Sequence, residues 1–508
     1  MKYMKKVGFD NDLYLRQQSE TILARIKDCN SEKLYLEFGG KIMYDFHAAR
    51  VLPGYDPNVK MQLLAKMKDS VDVIMCICAI DIEKKKIRGD FGITYDADVV
   101  KTIDDFAAWG IRIKAIVITR YDGQPSADIF RKAMECRGMK VCMHKFTKGY
   151  PTNVDLIVSE QGYGANEYIE TEKPIVVVTG PGPGSGKLAT CLSQMYHEHK
   201  RGIKAAYAKF ETFPIWNLPL KHPVNIAYEA ATAELKDSNM IDHFHLEAYD
   251  LKTVNYNRDL EAFPLLQRII ERITDAPSIY KSPTDMGVNR AGFAIIDDGI
   301  VRRAAQQEVI RRYFRYACEH VVGLCSKETM TRVELLMKDM GLTQEDRKTV
   351  RPAREAAQTA RERNQGNRGI YSGAALELPD GTVVTGHNSP LLHAASSVVL
   401  TAAKRLAGIP DETDLLPSHI LTSLADFKKD VFKSSSISLN LEETLIAFSI
   451  GAASDPAAAV ALTKLKELSG CEIHMTHIPS TGDAAGLRKL GLNSTSEPEF
   501  VTKPLYFG

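Results

Sequence analysis

The chain reads as a multidomain α/β protein with a mainly parallel sheet and flanking helices, a helical middle segment and an α/β C-terminal domain. Three observations predict this. The segments 73–80, 114–119 and 175–179 consist almost wholly of apolar and β-branched residues, as expected of strands buried on both faces. Stretches with helical character separate them, and alternating strands and helices argue for a parallel sheet covered on both sides. At 508 residues the chain also exceeds what one hydrophobic core usually covers. We expect an α/β domain at residues 1–275, a helical domain at 276–368 and a second α/β domain at 369–508.

In chain order, an amphipathic helix is expected at 13–27. Residues 33–38 and 42–46 flank Gly39-Gly40 and read as a β-hairpin, with a helix at 58–67. Strand 73–80, helix 98–109, strand 114–119 and helix 127–137 follow. Strands at 141–144, 155–159 and 175–179, helix 187–199 and strand 203–209 continue the block. Residues 301–322 carry Ala305, Ile310, Phe314, Ala317, Cys318 and Val321 at helical spacing, and 330–340 and 354–363 are further helices. The arginines of that segment (Arg302, Arg303, Arg311, Arg312, Arg315) lack interleaved aromatic residues and read as a solvated helix face. The last segment opens with a hairpin, 373–378 and 382–385, around Pro379-Asp380-Gly381. Helices at 391–406, 421–432, 441–448 and 457–468, a strand at 472–477 and a helix at 483–490 complete it.

A net charge of +1 supplies no global field toward nucleic acid or membrane. The nine cysteines are odd in number, scattered and without a C-x-x-C pair, as expected of free thiols in a reducing compartment. The N-terminal residues lack an apolar signal core, and no apolar run approaches the ~20 residues of a membrane helix. These features predict a cytoplasmic protein with no nucleic-acid and no membrane partner; the small phosphorylated ligand expected as its partner is read from the glycine turn at 179–187. A homo-oligomer is the expectation for a cytosolic chain of this size.

The sharpest motif lies at 179–187. The β-branched run Ile175-Val-Val-Val-Thr179 leads into Gly180-Pro-Gly182-Pro-Gly184-Ser185-Gly186-Lys187, and helix-forming residues follow. A strand, a glycine loop and a helix form an arrangement that cradles phosphate, because backbone N–H groups can approach an anion at a positive helix end. Lys187 would set a cation beside the phosphates, and Ser185 and Thr190 would offer hydroxyls to phosphate or magnesium. The segment resembles the phosphate loop of P-loop nucleotide-binding proteins, which implies a nucleotide with magnesium. It departs from that pattern at Pro181, where the first glycine belongs, and at Leu188, where a hydroxyl should follow the lysine. Asp81, Asp297 and Asp298 follow apolar runs and are candidate acidic partners for magnesium.

Other polar clusters offer pocket linings. Asp45, His47 and Arg50 lie within six residues beside a Gly/Pro turn, and Arg50 suits a carboxylate or phosphate. Asp285 and Asn289 sit in a loop at 281–289 rich in hydrogen-bonding groups, and Asn257-Arg258-Asp259 is similar. An ordinary surface loop is the competing reading for both. On a strand, His243, His245 and Glu247 would share one face, but exposed strand polarity is the simpler account and no metal site is assigned.

The segment Gly373 to Asn388 resembles the opening hairpin of cytidine-deaminase-like domains, with His393-Ala394 near a helix start. Ala395 stands where that family carries its proton-shuttling glutamate, and Ser480 and Asp483 stand where its two cysteines would be. The resemblance implies the fold without zinc catalysis. Over its whole length the chain resembles an uncharacterised bacterial family known as a domain of unknown function. The likeness rests on Leu34-Tyr-Leu-Glu-Phe-Gly-Gly-Lys41, on the 179–187 turn and on Ser282-Pro-Thr-Asp-Met-Gly287. It implies a shared architecture and names no catalytic residue. Three functional readings stand: an enzyme acting on a nucleotide or other phosphorylated metabolite, a non-catalytic ligand-binding or regulatory protein, and a purely structural glycine turn.

Overall fold

The computed structural model describes residues 7–88, 91–434 and 436–501. The chain forms two compact units, Lys6–Ala305 and one built on Gln306–Gly508.

The first unit is organised on six parallel strands: β1 (Lys33–Phe38), β2 (Val71–Cys78), β3 (Ile113–Thr119), β4 (Val141–Met143), β5 (Ile175–Thr179) and β6 (Ala205–Phe210). Their spatial order is β4-β3-β2-β5-β1-β6. Every residue of β2 and β5 is buried, which explains their largely apolar sequences; the one acid, Asp72, accepts from the Glu172 and Lys173 N–H groups. The chain leaving β2 proceeds toward β3, whereas the chain leaving β5 passes over β1 to β6. The direction of travel therefore reverses between β2 and β5. Such a switch point opens a crevice outside the carboxyl ends of the strands, where ligands bind in open α/β sheets. The turn at 179–187 leaves the sheet there.

Helix α1 (Lys187–Lys200) begins at the turn and packs over β1 and β6. Its buried Cys191, Leu192 and Met195 join Tyr35, Ile74, Val176 and Val178 in one core cluster. Helix α2 (Asn257–Thr274) packs against α1 and adds Phe263, Leu266, Ile269 and Ile270 to that cluster. The far end of α1 is anchored by Glu198, whose Oε1 accepts from Lys33 Nζ at 2.8 Å and from the Tyr35 hydroxyl at 2.8 Å.

The second unit has a four-stranded sheet in the order β8-β7-β9-β10, from β7 (Gly373–Glu377), β8 (Val383–His387), β9 (Glu472–Met475) and β10 (Asn493–Ser496). The first two form the expected antiparallel hairpin, and β9 and β10 run parallel. Helices α3 (Ala394–Ala407), α4 (Leu441–Gly451) and α5 (Thr481–Lys489) contribute Val398, Phe448 and Leu487 to its core.

Four local expectations change. Residues 42–46 are not a strand, because β1 is already paired on both edges, by β5 and β6, and has none left for a hairpin partner. Residues 155–159 begin in a short helix, Val154–Ile157, capped by the Asn153 side chain. The alternation at 242–247 is overridden by a cap: Asp242 accepts from His245 N–H at 3.0 Å and starts a helix, His243–Tyr249. His243, His245 and Glu247 thus do not share a strand face. Asp298 opens the helix Asp298–Val321 and pairs with His222 and Arg302, so it does not end a strand.

Candidate functional site

The glycine turn is shaped by its own polar groups. Ser185 Oγ donates to the Gly182 carbonyl at 2.7 Å, and Thr119 Oγ1 on β3 donates to the Ser185 carbonyl at 2.8 Å. Thr190 Oγ1 donates to the Gly186 carbonyl at 3.0 Å. The hydroxyls expected to serve a phosphate or magnesium thus donate their protons within the turn. Gly186 caps α1 at φ 86°, left-handed backbone that glycine adopts without a Cβ penalty. The backbone N–H groups of Ser185, Gly186 and Lys187 make no hydrogen bond among the described residues. They are donors at the positive end of a 14-residue helix. Lys187 is buried, and its Nζ lies 3.3 Å from the Gly182 carbonyl, folded back over the turn.

A cavity of about 320 Å³ opens beside the turn. Gly184, Gly186, Lys187 and Thr190 line one side, with Arg120 and Lys145 from the ends of β3 and β4. Arg120 and Lys145 are exposed, and neither they nor Lys187 form an ion pair among the described residues. Three cations without carboxylate partners thus stand around the free N–H groups of the turn. Leu188, Leu192, Ala262, Leu265, Leu266 and Ile269 form an apolar wall from α1 and α2. Phe146 and Tyr150 close the mouth; each is 57% exposed and takes part in no ring contact among the described residues. His144 also lines the cavity, and burial holds its imidazole neutral by pushing its pKa down to about 4.

Glu37 is the one carboxylate lining this cavity among the described residues. Its Oε2 accepts from the Tyr207 hydroxyl at 2.7 Å. Behind it, Lys209 Nζ reaches Asp259 Oδ2 at 2.6 Å and Glu211 Oε2 at 3.1 Å. Burial pushes the Glu211 carboxyl up to about 7 against the lowering pull of Lys209, helped by the like charges of Asp259 and Glu37. The pattern of β1 carried a hint of this group: Glu37 is the only acidic residue in an otherwise apolar run after Lys33. Arg120, Lys145, Phe146 and Tyr150 carried no comparable signal.

The remaining sequence candidates lie elsewhere. Gly180 borders a separate small pocket with Arg88 and Asp98, and a Cβ on Gly182 would meet the Tyr95 hydroxyl. Asp45 is buried, caps Phe46–Val51 and pairs with Lys60 at 2.9 Å. His47 packs edge-on against Phe213 and Tyr228, and Arg50 is half-buried at the end of that helix. Asp285 accepts from the Tyr249 hydroxyl, and Asn289 ties down the Thr212 and Pro214 carbonyls. None of these five lines the cavity at the turn. Asp81 sits in the short helix Ala79–Glu83, 3.8 Å from Lys86 Nζ, and does not line it either.

In the second unit, His393 caps α3 and its Nδ1 lies 2.7 Å from Asp483 Oδ2. Ser480 Oγ donates to the same oxygen at 2.7 Å, and Leu441 N–H to the other at 2.9 Å. His393, Ser480 and Asp483 thus meet at one carboxylate. Burial alone would raise the Asp483 carboxyl, but His393, Ser480 and the Leu441 N–H outweigh it and hold it below the usual range. Among the described residues no group of three or more His, Cys, Asp or Glu is arranged to hold a metal.

Fold and site together define an α/β protein with a cationic, glycine-turn crevice at the switch point of a parallel sheet. The chain belongs to the family described as "Domain of unknown function DUF1846", whose N-terminal model matches residues 7–341 and whose C-terminal model matches 345–506. It is similar to a UPF0371 protein of Clostridium botulinum (strain Kyoto / Type A2), 55% identical over 99% of both chains. A UPF0371 protein of Clostridium tetani (strain Massachusetts / E88) is 54% identical over the same shares. Neither description names an activity. No helix among the described residues is long and apolar enough to cross a membrane.

Proposed function

We propose that the first unit binds a small phosphorylated ligand of the nucleotide class in the cavity beside the glycine turn. The observation that carries this reading is the set of free N–H groups at Ser185, Gly186 and Lys187, ringed by Lys187, Arg120 and Lys145 without ion-pair partners. The phosphate is held by the turn and these cations, as at other helix N-termini. A planar ring stacks on Phe146 or Tyr150 and rests on the apolar wall of α1 and α2. The wall and the volume suit a nucleoside better than a bare phosphate, since ligand pockets of about 300 Å³ and above bury most of a small molecule.

In this reading the second unit is a non-catalytic module. It keeps a deaminase-like layout without the chemistry, because Ala395 replaces the acid–base carboxylate and His393 is tied to Asp483.

Titration calorimetry with inorganic phosphate, ribose 5-phosphate and adenosine monophosphate tests the proposal. Base stacking is worth about 1–3 kcal/mol, so adenosine monophosphate binds about 5- to 150-fold more tightly than ribose 5-phosphate. Phe146→Ala with Tyr150→Ala erases that difference. Lys187→Ala weakens all three ligands by about 10-fold or more through a lost charge-assisted contact. Heat from none of the three ligands, at millimolar concentrations, would sink the reading.

A further inference from the structure

We propose that the crevice is an active site in which Glu37 accepts a proton from a water molecule attacking the bound phosphate. This rests on the binding reading above and adds an activity: hydrolysis of the terminal phosphoanhydride of a nucleotide.

Glu37 pairs in register with Val178 on one side and Lys209 on the other. Val178 lies two residues before Gly180, so the carboxylate stands one strand away from the base of the turn. It is carried by an interior strand, paired on both edges by β5 and β6. Glu37 is the one acid lining the cavity among the described residues, whereas Lys187, Arg120 and Lys145 line it as cations. An acid opposite an anion site is unfavourable for binding alone, because it repels the phosphate. It is useful where a proton must be received as a nucleophile attacks.

The Tyr207 hydroxyl supports this role. It donates to Glu37 Oε2 at 2.7 Å, and Oε1 makes no hydrogen bond among the described residues. One oxygen is fixed and the other is available to a water. Tyr207 is buried, so its hydrogen bond is shielded from solvent and sets the plane of the carboxylate. Lys209 lies behind it on β6, engaged with Asp259 and Glu211, and adds positive charge without reaching into the cavity.

The water oxygen forms a bond to phosphorus as the bond from phosphorus to the bridging oxygen breaks. The water proton passes to Glu37 Oε1, and the bridging oxygen leaves with the electron pair on the shortened nucleotide. Lys187, Arg120 and the free N–H groups neutralise charge on the non-bridging oxygens. Glu37 then returns its proton to solvent. Tyr207 is a positioning residue.

The test measures phosphate release from adenosine and guanosine triphosphate with magnesium chloride. Binding is followed in parallel with a non-hydrolysable triphosphate analogue. Wild-type protein is compared with Glu37→Gln, Glu37→Asp and Tyr207→Phe. Glu37→Gln binds the analogue at least as tightly as wild type and releases phosphate about 100-fold or more slowly. Glu37→Asp retains part of the rate, and Tyr207→Phe lowers kcat while leaving KM within about threefold, the split expected of a group that acts through Glu37. Wild-type protein that binds the analogue but releases no phosphate overturns this proposal and leaves the binding reading intact. So does a Glu37→Gln protein that releases phosphate at the wild-type rate. Wild-type protein that binds no nucleotide overturns the binding reading itself.

Discussion

Gly186 and Gly184 both sit in left-handed backbone, at φ 86° and 77°, but their surroundings differ. A Cβ on Gly186 would fall 2.6 Å from Thr119 Oγ1 and 2.7 Å from Thr119 Cβ, whereas a Cβ on Gly184 meets nothing within 4 Å. Alanine at either position bears the left-handed strain of about 1–2 kcal/mol. At Gly186 it must also displace a buried side chain on a central strand, which adds about 1–3 kcal/mol of overpacking. The Thr119 bond to the Ser185 carbonyl breaks as well, for about 0.5–1.5 kcal/mol. Gly184→Ala is therefore expected to cost about 1–2 kcal/mol and Gly186→Ala about 2.5–6.5 kcal/mol. The entropy that alanine removes from the unfolded chain is common to both variants and cancels in the comparison. Urea unfolding followed by tryptophan fluorescence measures this directly, because both tryptophans, Trp109 and Trp216, lie in the first unit. Gly186→Ala should also abolish phosphate binding, since the carbonyl and N–H groups of the turn move with Thr119. Equal destabilisation by the two substitutions would refute the packing argument.

Other expectations are independent of the turn. Lys33→Met strands the fully buried Glu198 carboxylate and should cost about 3–5 kcal/mol by urea titration, whereas the double variant Lys33→Met with Glu198→Leu recovers most of it. In the second unit, Arg347 ties Thr495 Oγ1 and the Ile473 and Asn493 carbonyls together while paired with Glu472. Arg347→Met should likewise cost about 3–5 kcal/mol, and a change under about 1 kcal/mol would show the network to be dispensable. Glu211 supplies a pH test. Its folded pKa of about 7 lies above the ordinary 4.5, so the folded state holds the proton more tightly. Its contribution to stability is complete below about pH 4.5 and is lost as the pH rises through 7. Glu211→Gln should therefore gain stability relative to wild type between pH 5 and about pH 8, and a flat difference across that range would contradict the assignment.

The glycine turn was readable from local sequence. The run Ile175–Thr179, the glycines after it and the helix-forming residues beyond Lys187 appear as a strand, a turn and a helix because each depends on near neighbours. The same holds for the 373–387 hairpin, whose Gly381 takes the left-handed backbone that its turn requires. The failures have a common cause. Residues 42–46 follow Gly39-Gly40 as a hairpin strand would and 242–247 alternate polar and apolar, but β1 had no free edge for the first and Asp242 capped a helix in the second. Asp45, which looked like a pocket group, is consumed by Lys60 and by its own helix.

The sequence by itself determined that a glycine turn with a lysine joins a buried strand to a helix, whose first backbone donors have no partner within the helix. Only the tertiary structure decided what faces them. Arg120, Lys145 and Glu37 end or nearly end three different strands, and the order β4-β3-β2-β5-β1-β6 brings them around one cavity. Strand order arises from pairing between segments more than a hundred residues apart, such as β1 with β5. Local periodicity specifies that a strand exists and which faces it buries, but carries no information about its neighbour. The turn was legible for that reason, and the groups that would give it a ligand and a reaction were not.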